Sequence, residues 1–226
     1  MVQISTVILV HGAWANAMLW AKVLPPLAAS GIAAMAAQLP LTSLAADMAT
    51  LRRAIALARP PVLLVGHGYG GVVITEAGVE IAVAGLVYIA GFAPGAGESA
   101  ETQAASGAPT ALADAIRMDR DGFAMLTRAG VAKVFAPDLS PVEAALLHAT
   151  QGPIAGAALA GQVSDPGWRT KPSWYLRATE DRVIDPALQE IMARRIGACT
   201  HDVASSHVPM LSQPEAVIDL IEQACR

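Results

Sequence analysis

A chain of 226 residues, 54% of them hydrophobic and 15% charged, is long enough for one domain with a sizeable core and too apolar to stay disordered. Its net charge of −4, with no run of Lys and Arg, provides no electrostatic footprint for nucleic acid or an anionic membrane surface. Its two cysteines, Cys199 and Cys225, stand outside any CxxC or His-rich spacing, so they read as reduced thiols, with no metal and no cofactor expected.

Residues 1–10 lack the basic start and cleavage region of a signal peptide, which leads us to expect a cytoplasmic protein. No apolar stretch runs free of turn signals for the roughly 20 residues a membrane-spanning helix needs. Residues 6–10 read as a strand and end in His11-Gly12-Ala13-Trp14. A second strand is expected over residues 32–37. A helix follows over 43–59, with Leu44, Met48, Leu51 and Ile55 on one face, Ser43 as its N-cap and Pro60 after its end. Residues 62–65 form a third strand, leading directly into Gly66-His67-Gly68-Tyr69-Gly70-Gly71, and 83–90 a fourth.

Residues 94–168 break the alternation. They carry helical patterns without convincing strands, including a capping box at Ser140-Pro-Val-Glu143, and residues 91–109 read as an access loop. Strands return over 173–177 and 200–203. Ser212-Gln-Pro-Glu215 then has the spacing of a second capping box, opening a last helix with Val217, Ile218 and Ile221 on one face. Continuously apolar strands alternating with helices predict a doubly wound, mainly parallel α/β sheet of about six strands. Residues 1–93 and 169–226 form the expected core, and 94–168 a helical cap insertion.

The pentapeptide Gly66-His67-Gly68-Tyr69-Gly70 lies between a strand and a helix, the context that a Gly-x-Ser-x-Gly nucleophile elbow requires. Its central position is Gly68, which tolerates the tight turn but has no hydroxyl. A phosphate-binding loop fits less well. There is no Gly-Lys-Ser/Thr, and the glycine spacing departs from Gly-x-Gly-x-x-Gly.

Taken with His11-Gly12-Ala13-Trp14, this elbow resembles the α/β-hydrolase superfamily, and within it the small esterases and hydroxynitrile lyases. By that resemblance the backbone N–H groups of Ala13 and Tyr69 form the oxyanion hole. The resemblance continues at Ala178-Thr-Glu-Asp-Arg-Val-Ile-Asp-Pro, where the family places its catalytic acid. Asp181 is the choice there, with Glu180 and Asp185 as rivals. It continues again at Ser206-His207-Val-Pro-Met, which is similar to the family's catalytic-histidine loop and makes His207 the base. His11 and His67 read as hydrogen-bonded parts of the two turns, and His148 as a cap surface or interface residue.

The first and third strands should flank the point where strand order reverses, so the oxyanion loop and the elbow would face one crevice. Trp14, Phe92, Met125, Trp168 and Met210 are candidates to line an apolar pocket there for a small ester-like ligand; core packing is the competing reading for each. The implied function is that of an esterase or lactonase, inactivated or repurposed at Gly68, that binds small carboxylic esters without hydrolysing them. Two alternatives stand beside it. One is a cofactor-free lyase, cyclase or isomerase using the His207–Asp181 dyad as general base; the other is a non-catalytic ligand-binding relative.

Overall fold

A computed structural model describes residues 3–226; Met1 and Val2, where the expected core boundary begins, lie outside the described residues. Among the described residues nine strands occur: β1 (Thr6–Val10), β2 (Ala34–Ala37), β3 (Val62–His67), β4 (Val83–Ile89), β5 (Ile116–Met118), β6 (Phe123–Leu126), β7 (Ile154–Ala155), β8 (Ser173–Ala178) and β9 (Cys199–Val203). Six of them form one sheet in the order β2-β1-β3-β4-β8-β9, every pair parallel. β1 and β3 are buried along their whole length, as strands covered on both faces must be. The chain passes from β1 to β2 on one side and then to β3 on the other, so strand order reverses between β1 and β3.

The helix Leu44–Leu57 starts at Ser43, whose Oγ accepts from the Ala46 N–H at 3.2 Å. β2 begins two residues later than the pattern predicts. The Ile32 N–H still closes the preceding helix, Leu24–Ala29, by donating to the Leu27 carbonyl through a turn with Gly31 at φ +77°.

Two expectations need correction. Residues 94–168 are not purely helical, because β5, β6 and β7 form a three-stranded antiparallel sheet. The β5–β6 hairpin turns at Asp119, whose Oδ1 accepts from the N–H groups of Asp121 and Phe123, with Gly122 at φ +82°. Ser212 does not cap the last helix. Pro209–Ser212 forms a short helical turn of its own, Ser212 Oγ bonds Ser205 Oγ, and the final helix Pro214–Ala224 begins after Gln213. The other capping box does form. Ser140 Oγ accepts from the Glu143 N–H while the Glu143 carboxylate accepts from the Ser140 N–H, opening the helix Pro141–Thr150.

Candidate active site

At the end of β1 the chain turns through Gly12, where a Cβ would come within 2.6 Å of the His67 carbonyl oxygen and 3.0 Å of the Tyr69 nitrogen. Only glycine lets this loop lie against the elbow. His11 fixes the loop from beneath: its Nε2 accepts from the Leu39 N–H at 3.0 Å, so Nδ1 carries the proton and donates to the Gly12 carbonyl. Burial holds the His11 pKa below the usual histidine value.

At the end of β3, Gly68 sits at φ +52°, a left-handed conformation that costs an L side chain about 1–2 kcal/mol. Its carbonyl accepts from the N–H groups of Phe92 and Gly71 at 3.0 and 3.1 Å, and its own N–H donates to Ile89, so the turn is held on three sides. The surrounding glycines are set by backbone crowding, with a Cβ at Gly70 meeting the Val10 carbonyl oxygen at 2.5 Å. Gly68 differs in kind. A Cβ there would meet only one side chain closely, the His207 imidazole, at 3.0 Å from Nε2. Position 68 therefore aims straight at the histidine.

Asp181 follows β8 and His207 follows β9; their side chains meet at 2.7 Å, Nδ1 to Oδ2, with both residues buried. The carboxylate is held by three further donors, the N–H groups of Val183 and Ile184 and the Gln189 side-chain amide. A carboxylate only accepts, so His207 carries its proton on Nδ1 and leaves the Nε2 lone pair toward Gly68. The rivals have other employment: Asp185 caps the helix Pro186–Arg195, and Glu180 is exposed. Phe135, from a π-helical turn over Val131–Phe135, packs its ring 5.3 Å from the His207 ring.

Two further buried groups support the elbow, His67, expected as a hydrogen-bonded part of that turn, and Asp47, which was not expected. His67 donates from Nε2 to the His207 carbonyl at 2.8 Å, tying β3 to the histidine loop; burial and the nearby His207 hold its pKa well below the usual value. Asp47, fully buried in the helix Leu44–Leu57, accepts from the Tyr69 hydroxyl at 2.7 Å and the Leu41 N–H at 2.8 Å. Burial raises its pKa, opposed by those two donors. Sequence patterning passed over Asp47, although its place three residues after Leu44 and four before Leu51 put it on the buried stripe.

Gly68, Tyr69, Ala13, Trp14, Phe92 and His207 open onto one cavity of about 280 Å³, closed by Leu112, Ile116 and Leu159 from the cap and by Val183 and Ile184. Among the described residues, neither the Ala13 nor the Tyr69 N–H makes a hydrogen bond within the protein. Three expected lining residues lie elsewhere. Met210 is buried in the core, Met125 points to solvent because Ala124 and Leu126 take the inward positions of β6, and the Trp168 indole donates to the Pro94 carbonyl. His148 lies half-buried on the helix Pro141–Thr150. Among the described residues no group of three His, Cys, Asp or Glu side chains converges to hold a metal ion, and no helix is long and apolar enough to cross a membrane.

Six parallel strands, a strand-elbow-helix at the reversal of strand order and an Asp–His pair on the last two strands define an α/β-hydrolase. The chain belongs to the Alpha/beta hydrolase family, whose model matches residues 7–220. It is 27% identical over 194 residues to the alpha/beta hydrolase nvfD of Aspergillus novofumigatus, covering 79% of this chain and 76% of that one. Its fold is similar to a pyrethroid hydrolase from Sphingobium faniae JZ-2 (TM-score 0.84, 22% identity, 98% and 97% of the two chains covered). Similar likenesses hold for polyneuridine aldehyde esterase (TM-score 0.82, 20% identity, 98% and 100% covered) and a variant of tomato methylketone synthase I complexed with beta-ketoheptanoate (TM-score 0.82, 20% identity, 99% and 98% covered).

Proposed function

We propose that this protein is an esterase-type α/β-hydrolase without a nucleophile, which takes a small, largely apolar carboxylic ester or lactone into the Gly68 cavity and holds it without forming an acyl-enzyme. One observation carries this reading: Gly68 occupies the elbow at φ +52°, with its absent side chain directed at His207 Nε2. In the parent chemistry a serine hydroxyl at that position gives its proton to the histidine and attacks the carbonyl, and two backbone N–H groups stabilise the oxyanion. Here the Ala13 and Tyr69 N–H groups are the candidates to receive the carbonyl oxygen, while His207, oriented by Asp181, has no hydroxyl to deprotonate. Loss of the nucleophile from such a triad lowers turnover by about 10⁶-fold in a well-studied protease. The pyrethroid hydrolase and the esterase among the similar folds support the ester-like character of the ligand.

A specific feature favours a second reading. Among the described residues His207 Nε2 makes no hydrogen bond, so this nitrogen is open to the cavity and suited to moving a proton on a carbonyl compound that needs no covalent attack. The methylketone synthase solved with a keto acid supports carbonyl chemistry of this kind on the fold. Calorimetric titration of the protein with aryl esters and small lactones, followed by intact mass and product analysis, separates the two. The first reading expects saturable binding with neither adduct nor product. Product formation that disappears in His207→Ala would replace it with the second, and absence of binding to every ester and lactone would contradict it.

A further inference from the structure

Behind the oxyanion loop lies a second cavity of about 330 Å³, slightly larger than the Gly68 cavity. Its walls include Ala15 and Leu19 from the segment after the oxyanion loop, Leu146 and Leu147 from the helix Pro141–Thr150, and Leu211. Among the described residues its only charged side chains, Lys22 and Glu143, pair with each other at 2.7 Å, and Lys22 also donates to the Leu211 carbonyl. The chamber thus presents an apolar interior with neutralised charge.

Among the described residues Trp14 alone lines both cavities. It is a bulky residue at φ +56°, a conformation that persists only where surrounding structure enforces it, and such positions cluster at ligand clamps. The enforcing contact is with the cap: the indole Nε1–H donates to the Ala124 carbonyl of β6 at 3.1 Å, and the ring packs edge-on to Phe135, which itself lies against His207. That hydrogen bond and the edge contact with Phe135 hold the partition between the two spaces.

We propose that the outer chamber is a second subsite, taking the distal alkyl or aryl end of an elongated neutral ester whose carbonyl lies beside Gly68, with Trp14 as a displaceable partition. This rests on the ester-binding reading of the Gly68 cavity. Each cavity alone is near the lower end of the roughly 300–1,000 Å³ typical of small-molecule sites, and joined they accommodate a substrate about twice as long. A neutral end group suits the chamber because an isolated charge there would lose hydration without gaining a partner.

The test is a titration with esters of one aryl alcohol carrying acyl chains from acetyl to decanoyl. Native protein should bind each longer ester more tightly, up to roughly fourfold per added methylene, until the chamber is filled. Ala21→Trp and Leu146→Trp fill the chamber from exposed positions that folding does not depend on, as circular dichroism would check. Both should leave acetyl-ester affinity within about twofold of the native protein and abolish the gain with chain length. Failure of every ester in the series to bind would overturn the ester-binding reading itself. Acetyl-ester binding with no chain-length gain, or a gain that survives both substitutions, would overturn the subsite alone. Loss of self-association in the two variants with unchanged long-ester affinity would assign the chamber to a second copy of this chain, and overturn it too.

Discussion

Beneath the Gly68 cavity the elbow is held by close approach of main chain, whereas the cap side of the cavity is made of side chains. Gly70 and Gly71 leave room for the carbonyls of Val10 and Phe92, which a Cβ would meet at 2.5 and 2.2 Å. The cap contributes Ala100, Ala104, Leu112, Ile116 and Leu159 from short elements, one of them a three-residue strand with an exposed Met118. The difference separates two jobs. Positions that must hold N–H groups and a base to a fraction of an ångström are fixed by close packing of main chain, while positions that determine the shape of the ligand can change without moving them.

Substitutions should therefore act unequally on the two sides. Gly71→Ala places a methyl into the Phe92 carbonyl and should lower stability by about 3 kcal/mol or more, read from urea unfolding; a loss under about 1 kcal/mol would show the elbow to be more compliant than its packing implies.

Acid should also act through the core side. His11 and His67 stay neutral in the fold below their ordinary value of 6.5, while in the unfolded chain both take up a proton. The unfolded state then binds more protons, so stability falls as pH drops from 7 toward 5.5. Asp47 acts in the opposite sense at lower pH, because its raised pKa lets the folded carboxyl take its proton first. A urea midpoint flat between pH 7 and 5.5 would contradict this.

Asp47→Ala leaves the Tyr69 hydroxyl and the Leu41 N–H without their acceptor and should cost about 2 kcal/mol. Asp47→Asn should recover part of that loss, since its amide oxygen still accepts from Leu41; equal losses for the two would rule out hydrogen bonding as the cause. On the cap, Ser140→Ala removes a helix cap and should cost only about 1 kcal/mol by the same assay. A cost matching Gly71→Ala would erase the distinction between the sides.

The same division determined what could be read from the sequence. β1, β3 and β4 are buried strands whose apolar runs announce them, and the elbow is read from its place after β3, whereas Asp181 and His207 were read from the family resemblance of the loops that carry them. The cap sheet escaped because β5, β6 and β7 have only three, four and two residues, too few for a periodic pattern. One signal was available, the Asp121-Gly122 pair, a common hairpin turn sequence. Ser212 misled because a local spacing rule does not register that Pro209–Ser212 already forms a turn and that Ser205 occupies the serine hydroxyl. Met125, Trp168 and Met210 were chosen by residue type alone, and type does not say which way a side chain points.

The proposed function requires a site complete except for a nucleophile at position 68. Gly68→Ser tests it most directly, by hydrolysis of aryl esters alongside the native protein. The left-handed φ will cost the serine form about 1–2 kcal/mol of stability, and His207 must yield by a few tenths of an ångström to admit the Cβ. Hydrolysis should rise roughly 10³-fold or more and be lost again when His207→Ala is added. A folded serine form that hydrolyses no faster than the glycine form would contradict the proposed function.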